Sequence, residues 1–111
     1  MNNKAPTMPP IPPLVPFGVY TDKSTGVAIR NVFSAGFAFA VYDVHYDPKT
    51  GREVRRILYY KNGCPFMDDH YENGSFIKTR RIVYSESGQL LSDSYHRPRG
   101  NLIAVIRYHD Q

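Results

Sequence analysis

Tyr46-Asp47-Pro48-Lys49-Thr50-Gly51-Arg52-Glu53-Val54-Arg55-Arg56-Ile57-Leu58-Tyr59-Tyr60-Lys61-Asn62-Gly63 decides the fold class. Two turn signals, Pro48-Lys49-Thr50-Gly51 and Lys61-Asn62-Gly63, enclose residues 53–61, where Ile57, Leu58, Tyr59 and Tyr60 mix with Arg55 and Arg56. A run of that length between glycine turns reads as a strand. Asn-Gly suits a two-residue type I′ hairpin turn, because both residues tolerate positive φ. The punctuation recurs at Glu72-Asn73-Gly74, Glu86-Ser87-Gly88 and Pro98-Arg99-Gly100, so the glycines from Gly51 to Gly100 fall 12, 11, 14 and 12 residues apart. No window of eleven or more residues carries a helical stripe. The chain is therefore expected to be all-β, a small antiparallel β-meander built as a sheet, sandwich or partly open barrel.

The remaining strands are expected over residues 27–32, 36–46, 76–84, 89–96 and 102–108. Ala35-Gly36-Phe37-Ala38-Phe39-Ala40-Val41-Tyr42 is apolar at every position, which predicts a central strand covered on both faces. Residues 89–96 are polar and read as an edge. Residues 64–70 contain Pro65 and the adjacent acids Asp68 and Asp69, so they are expected to form a loop or a bulged edge.

Six of the nine prolines lie in the first sixteen residues. Each fixes its own φ and biases its predecessor away from helix, so Met8-Pro9-Pro10-Ile11-Pro12-Pro13-Leu14-Val15-Pro16-Phe17 is expected to be extended polyproline II. The arm is apolar between its prolines, unlike a solvating linker. The division expected is an extended proline-rich arm over 1–25 and an antiparallel β-domain over 26–111. Pro9, Pro10, Ile11, Pro12, Pro13, Leu14, Val15 and Phe17 are the candidate partner-binding residues of the arm, docking onto its own domain or onto a neighbouring subunit.

Tyrosines precede the turns, at Tyr60-Lys61-Asn62-Gly63, Tyr71-Glu72-Asn73-Gly74, Tyr84-Ser85-Glu86-Ser87-Gly88 and at Tyr95 ahead of Gly100, with spacings of 11, 13 and 11. Tyr60 to Tyr84 and Tyr71 to Tyr95 are each 24 residues, one hairpin per repeat. Over residues 53–103 this pattern resembles the MORN-variant (YwqK-like) hairpin repeat. The chain departs from that repeat in having less glycine and lysine and in the interruption Cys64-Pro65-Phe66-Met67. The resemblance implies a sheet scaffold for binding and supplies no catalytic residue. Any β-meander with Asn-Gly turns can also place tyrosines in this way, and both origins stay open.

Net charge is +4, and eleven of fourteen basic residues lie in 48–111. Alternation sends the members of Arg55-Arg56 and of Arg80-Arg81 to opposite faces. If residues 53–61 and 76–84 are neighbouring strands, one arginine from each would form a basic ridge beside Lys78, Tyr59 and Tyr60. Arg55, Arg56, Tyr59, Lys78, Arg80 and Arg81 are thus a candidate face for nucleic acid or an acidic partner. A solvated sheet face rich in arginine is the alternative. Among the four histidines no pair has metal-ligand spacing, and Asp68-Asp69-His70 supplies too few ligands, so no metal and no cofactor is expected. Glu53, His70, Arg80 and His96 are the residues that a ribonuclease-type reaction would need to converge. Cys64, between Gly63 and Pro65, reads as an inert thiol, and one cysteine excludes an internal disulfide.

No apolar stretch approaches the roughly 20 residues of a membrane span. The N-terminus lacks the apolar core of a classical secretory signal, and the expected location is cytoplasmic during synthesis, or the virion. Nine tyrosines and six phenylalanines exceed what so small a core needs. Arm, open edge and tyrosine surplus together predict a non-enzymatic structural or adaptor protein that binds copies of itself or other subunits of a large assembly. Its layout is that of auxiliary phage-particle proteins. Removal of residues 1–17 is then expected to abolish assembly and leave the β-domain folded. A nucleic-acid-binding β-module and an antitoxin- or immunity-type binding protein are the alternatives.

Overall fold

The computed structural model describes residues 8–36, 39–72, 78–96 and 102–107, with the backbone alone for Phe39 and for 102–107. The expected turns at Asn73-Gly74 and Pro98-Arg99-Gly100, with Phe76 and Tyr108, lie outside these residues. Eight strands follow one another: β1 (Gly18–Thr21), β2 (Ala28–Ser34), β3 (Phe39–Tyr46), β4 (Glu53–Tyr60), β5 (Pro65–Tyr71), β6 (Lys78–Tyr84), β7 (Leu90–His96) and β8 (Leu102–Arg107). They form one antiparallel sheet in sequence order, and β1 does not pair with β8, so the meander stays open. The all-β reading holds. Residues 18–21, given to the arm on sequence grounds, pair with β2 as the first strand.

Two strands sit where the sequence did not place them. Residues 65–71 form β5, an interior strand between β4 and β6. Pro65 is tolerated as the first residue, where the register slips at Leu58/Tyr59 and no interior ladder donor is lost. The adjacent acids project to opposite faces and each meets an arginine there. Residues 89–96, expected at an edge, are interior as well, because β8 pairs with β7.

The turns explain the spacing. Lys61-Asn62-Gly63 closes around three residues rather than two: the Tyr60 N–H donates to the Cys64 carbonyl at 2.8 Å, and the Gly63 N–H to the Tyr60 carbonyl at 2.9 Å. Gly63 takes φ of 89°, the left-handed position that this three-residue loop requires. Glu86-Ser87-Gly88 repeats it with φ of 90° at Gly88. At the other end of the sheet, Asp22 and Asp47 each accept a glycine N–H at 2.8 Å, from Gly26 and Gly51. Their side chains gather the next turn's N–H groups, Ser24 and Thr25 onto Asp22 and Lys49 onto Asp47. Hydrogen bonds from the Ser24 hydroxyl and N–H, then from Thr25, hold the Asp22 carboxyl below its usual range.

These devices recur every 25 residues, as in Asp22 to Asp47, Gly26 to Gly51 and Gly63 to Gly88. Register slips follow the same interval, at Tyr20/Thr21, His45/Tyr46, His70/Tyr71 and Tyr95/His96. The 24-residue tyrosine interval is a contact between repeats. The Tyr60 hydroxyl donates to the Tyr84 carbonyl at 3.0 Å and the Asn62 amide to the Glu86 carbonyl at 2.8 Å, stitching neighbouring turns together.

Cross-strand pairing aligns residues in rows across the sheet. One row reads Gly18, Val32, Asp43, Ile57, Asp68, Ile82, Asp93, Ile106. In it Val32, Ile57 and Ile82 are at most 1% exposed. Val32, Val41, Ile57 and Tyr59 make the apolar cluster, with Tyr20, Ala40 and, from the arm, Ile11 and Val15 packed against it. Ile57→Ala, which empties the middle of this row, is expected to cost about 3 kcal/mol, read as a lower urea midpoint at unchanged slope.

Candidate functional site: an arginine–aspartate ladder under the proline arm

The second row, next to the first on the same face, reads Tyr20, Arg30, His45, Arg55, His70, Arg80, Tyr95, Ala104. Each of the hairpins β2–β3, β4–β5 and β6–β7 therefore puts an arginine on its first strand and an aspartate 13 residues later on its second. Arg30, Arg55 and Arg80 reach diagonally to Asp43, Asp68 and Asp93. Each gives Nε to Oδ1 at 2.9 Å and Nη2 to Oδ2 at 2.8 Å. All three carboxylates are fully buried. A buried charge is tolerated only when paired and hydrogen-bonded, and the bidentate fork is the geometry that does both.

A third group completes each unit. His45 and His70 bring Nε2 to 3.0 and 3.1 Å from the carboxylates of Asp43 and Asp68. Both ring nitrogens are buried against the carboxylates. In the third unit the Tyr95 hydroxyl donates to Asp93 at 3.0 Å, and the Arg80 guanidinium lies 5.0 Å over its ring. Burial raises the Asp43 and Asp68 carboxyls. The neighbouring imidazoles and arginines outweigh it and hold both below their usual range. The carboxylates in turn hold Arg30 and Arg80 above theirs.

The arm crosses this row. Arg30 Nη2 donates to the Pro13 carbonyl at 2.8 Å and Arg55 Nη2 to the Pro10 carbonyl at 3.0 Å. The Tyr20 hydroxyl donates to the Pro16 carbonyl, and Arg80 Nη2 lies 3.9 Å from Met8 Sδ. In one phase of the arm Met8 and Ile11 are half-buried and Leu14 and Phe17 exposed, but the other two phases repeat every third residue: Pro10, Pro13 and Pro16 are exposed, while Pro9, Pro12 and Val15 are half-buried. That is the repeat of polyproline II. Ile11 and Val15 reach the core, whereas Leu14 and Phe17 face outward. The arm thus lies on its own sheet and covers the apolar cluster. Its removal would expose Val32, Val41 and Ile57, so a truncated chain is expected to lose stability rather than fold unchanged.

The candidate basic residues come together two by two: Arg55 and Arg80 share one row, across His70, and Arg56 and Arg81 another, across Asp69. β5 separates β4 from β6, and alternation divides the arginines between faces. Arg55 and Arg80 belong to the ladder beneath the arm. Arg56 and Arg81 leave by the opposite face, where Arg56 forks onto Glu53 at 2.9 Å and Arg81 onto Asp69 at 2.8 and 2.9 Å. Lys78 lies 3.7 Å from the same Asp69. Tyr59 is buried beside the ladder, its hydroxyl without a hydrogen-bond partner among the described residues. Burial, with the nearby Asp43 charge, pushes it up to about 12. Of the residues proposed for ribonuclease chemistry, His70 and Arg80 are cross-strand partners, but Glu53 is held by Arg56, whose side chain leaves by the opposite face. No cluster that could hold a metal ion occurs among the described residues.

The ladder was missed because each arginine and its aspartate are far apart in sequence. The signal present was the 25-residue interval of Arg30, Arg55 and Arg80 with that of Asp43, Asp68 and Asp93.

Asp68→Ala leaves Arg55 without its carboxylate and is expected to cost about 3 kcal/mol, while pairing it with Arg55→Met should recover most of the loss in the same denaturant titration. The native Asp43 and Asp68 values lie below the unfolded ones. Their stabilisation is therefore complete well above about pH 4 and is lost as the pH falls through the native values. Urea midpoints should fall steeply below about pH 4, and an Asp43→Asn/Asp68→Asn chain should show much less of that fall.

No protein-family model matches this chain, and neither does any curated protein or solved structure.

Proposed function

We propose that the chain is a non-enzymatic structural or adaptor protein that assembles through its arm and the adjoining sheet edge. In this reading it is an auxiliary component of a viral particle or a comparable large assembly. One observation carries the reading: Leu14, Phe17 and Val19 are 47%, 62% and 61% exposed where the arm enters β1. Leu14 and Phe17 are three residues apart and so share one edge of a polyproline II helix. Val19 lies on β1, a four-residue strand at the edge of the sheet with one side unpaired. Tyr20 faces the arm, so Val19 projects from the other face, and a subunit that pairs with the β1 edge would cover apolar side chains on both sides of it.

Copies of this chain or neighbouring subunits are the partners. No helix among the described residues is long and apolar enough to cross a membrane. A nucleic-acid role draws less support, since Arg30, Arg55, Arg56, Arg80 and Arg81 each hold a carboxylate.

Light scattering across a concentration series tests the proposal. The full chain is expected to form a multimer, and Phe17→Ser/Val19→Thr, which removes apolar surface without touching the ladder, is expected to shift it to monomer. A full chain that stays monomeric at every concentration overturns the reading.

A further inference from the structure

The arm contacts obey a spacing rule that the assembly reading does not require. Arg30 and Arg55 stand two strands apart, a distance of about 9.6 Å at the usual strand separation. The carbonyls they hold, of Pro13 and Pro10, are three residues apart, about 9.3 Å of polyproline II. Pro16, three residues further on, presents its carbonyl to Tyr20 in the same row, but Tyr20 stands one strand from Arg30, so this contact lies outside the two-strand step. A polyproline II segment makes no internal hydrogen bonds, so its carbonyls are free to accept from outside. The sheet repeats its arginine on every second strand, and the two periods match.

The donors are also held in advance. Each guanidinium is clamped in plane by a buried aspartate through Nε and Nη2, and Nη2 also serves the arm. A donor already fixed loses little freedom when its acceptor arrives, and proline fixes the acceptor side too. Ile11 and Val15 enter the apolar cluster between the carbonyl contacts. Carbonyls at three-residue intervals, proline stiffness and two apolar anchors define the ligand chemistry.

We propose that the Tyr20–Arg30–Arg55 row is a polyproline II-binding groove that reads backbone carbonyls at three-residue intervals, and that the ligand it takes in trans is the arm of a second copy. The choice of source rests on the assembly reading and on this chain's own arm, whose prolines at 10, 13 and 16 carry the spacing. The arm joins the sheet at Gly18, with φ of 153° and nothing within 4 Å of where a Cβ would stand. Glycine there leaves the backbone free to redirect the arm. An exchanged arm makes the same contacts in a neighbour that it makes at home.

The test uses a fluorescein-labelled synthetic peptide of residues 8–17, with anisotropy as readout. The hosts are the full-length chain, full-length Ile11→Asp/Val15→Asp, whose own arm loses its anchors, and the milder full-length Val15→Ser, each checked for folding by circular dichroism. The peptide is expected to bind an arm-loosened host about tenfold or more tightly than wild type, since the resident arm no longer competes at high effective concentration. A peptide with one glycine inserted between Ile11 and Pro12 cannot satisfy both arginines and should bind about tenfold more weakly, the loss expected for one charged hydrogen bond. Equal binding of the two peptides overturns the inference. So does the absence of binding to every folded host, wild type at millimolar peptide included. Light scattering on the same samples separates the two readings. Multimers that ignore the peptide spare the assembly reading and sink this one, whereas a strictly monomeric wild type overturns the second-copy source.

Discussion

Three carboxylates with no exposure to water must each be neutralised, and in this molecule much of the architecture follows from that requirement. A carboxylate on the second strand of a hairpin can reach an arginine on the first only if the hairpin's register is kept, because a one-residue slip would send the arginine to the other face. Thirteen residues therefore separate Arg30 from Asp43, Arg55 from Asp68 and Arg80 from Asp93. The turns at Gly63 and Gly88 keep that number in the second and third hairpins, and the Asp47 turn sets the step from one hairpin to the next. Buried ion pairs of this kind specify an arrangement more than they stabilise it, since well-packed apolar residues can do as well energetically. Val32, Ile57 and Ile82, opposite the three aspartates, supply the apolar burial.

Much of the sheet could be read from sequence, for a physical reason. Turns are local, and the glycine punctuation from Gly51 to Gly88 marks hairpins whose strands agree with the drafted runs to within a few residues. What local reading missed is what depends on neighbours. Asp68-Asp69 argues against a strand until Arg55 is seen on one face and Arg81 on the other. Residues 89–96 read as an edge because Ser92, Asp93 and Ser94 are polar, yet Asp93 is buried and bonded to Arg80 and Tyr95.

The repeat shows the same division. Tyrosines are conspicuous and gave 24, while the structural unit is 25, kept by arginine, aspartate and glycine. Tyr60 is aligned with Ser85 in the next unit and reaches back one residue, to Tyr84. The arm's apolar character was legible and its docking partly so: Ile11 and Val15 bury themselves, Leu14 and Phe17 do not. Which of the arm's atoms the sheet would hold was not legible, because the contacts are to backbone carbonyls and carry no side-chain signature.

That last point gives the arm a metrical property. Every hairpin added to the sheet advances the arginine row by two strands, and the strap that serves it must lengthen by three residues to keep pace. Arm and sheet are therefore two rulers with different graduations, read against each other. A lineage that duplicated a hairpin without extending the arm would leave the new arginine without a carbonyl to hold, so the length of the proline tract limits how many hairpins a single strap can span.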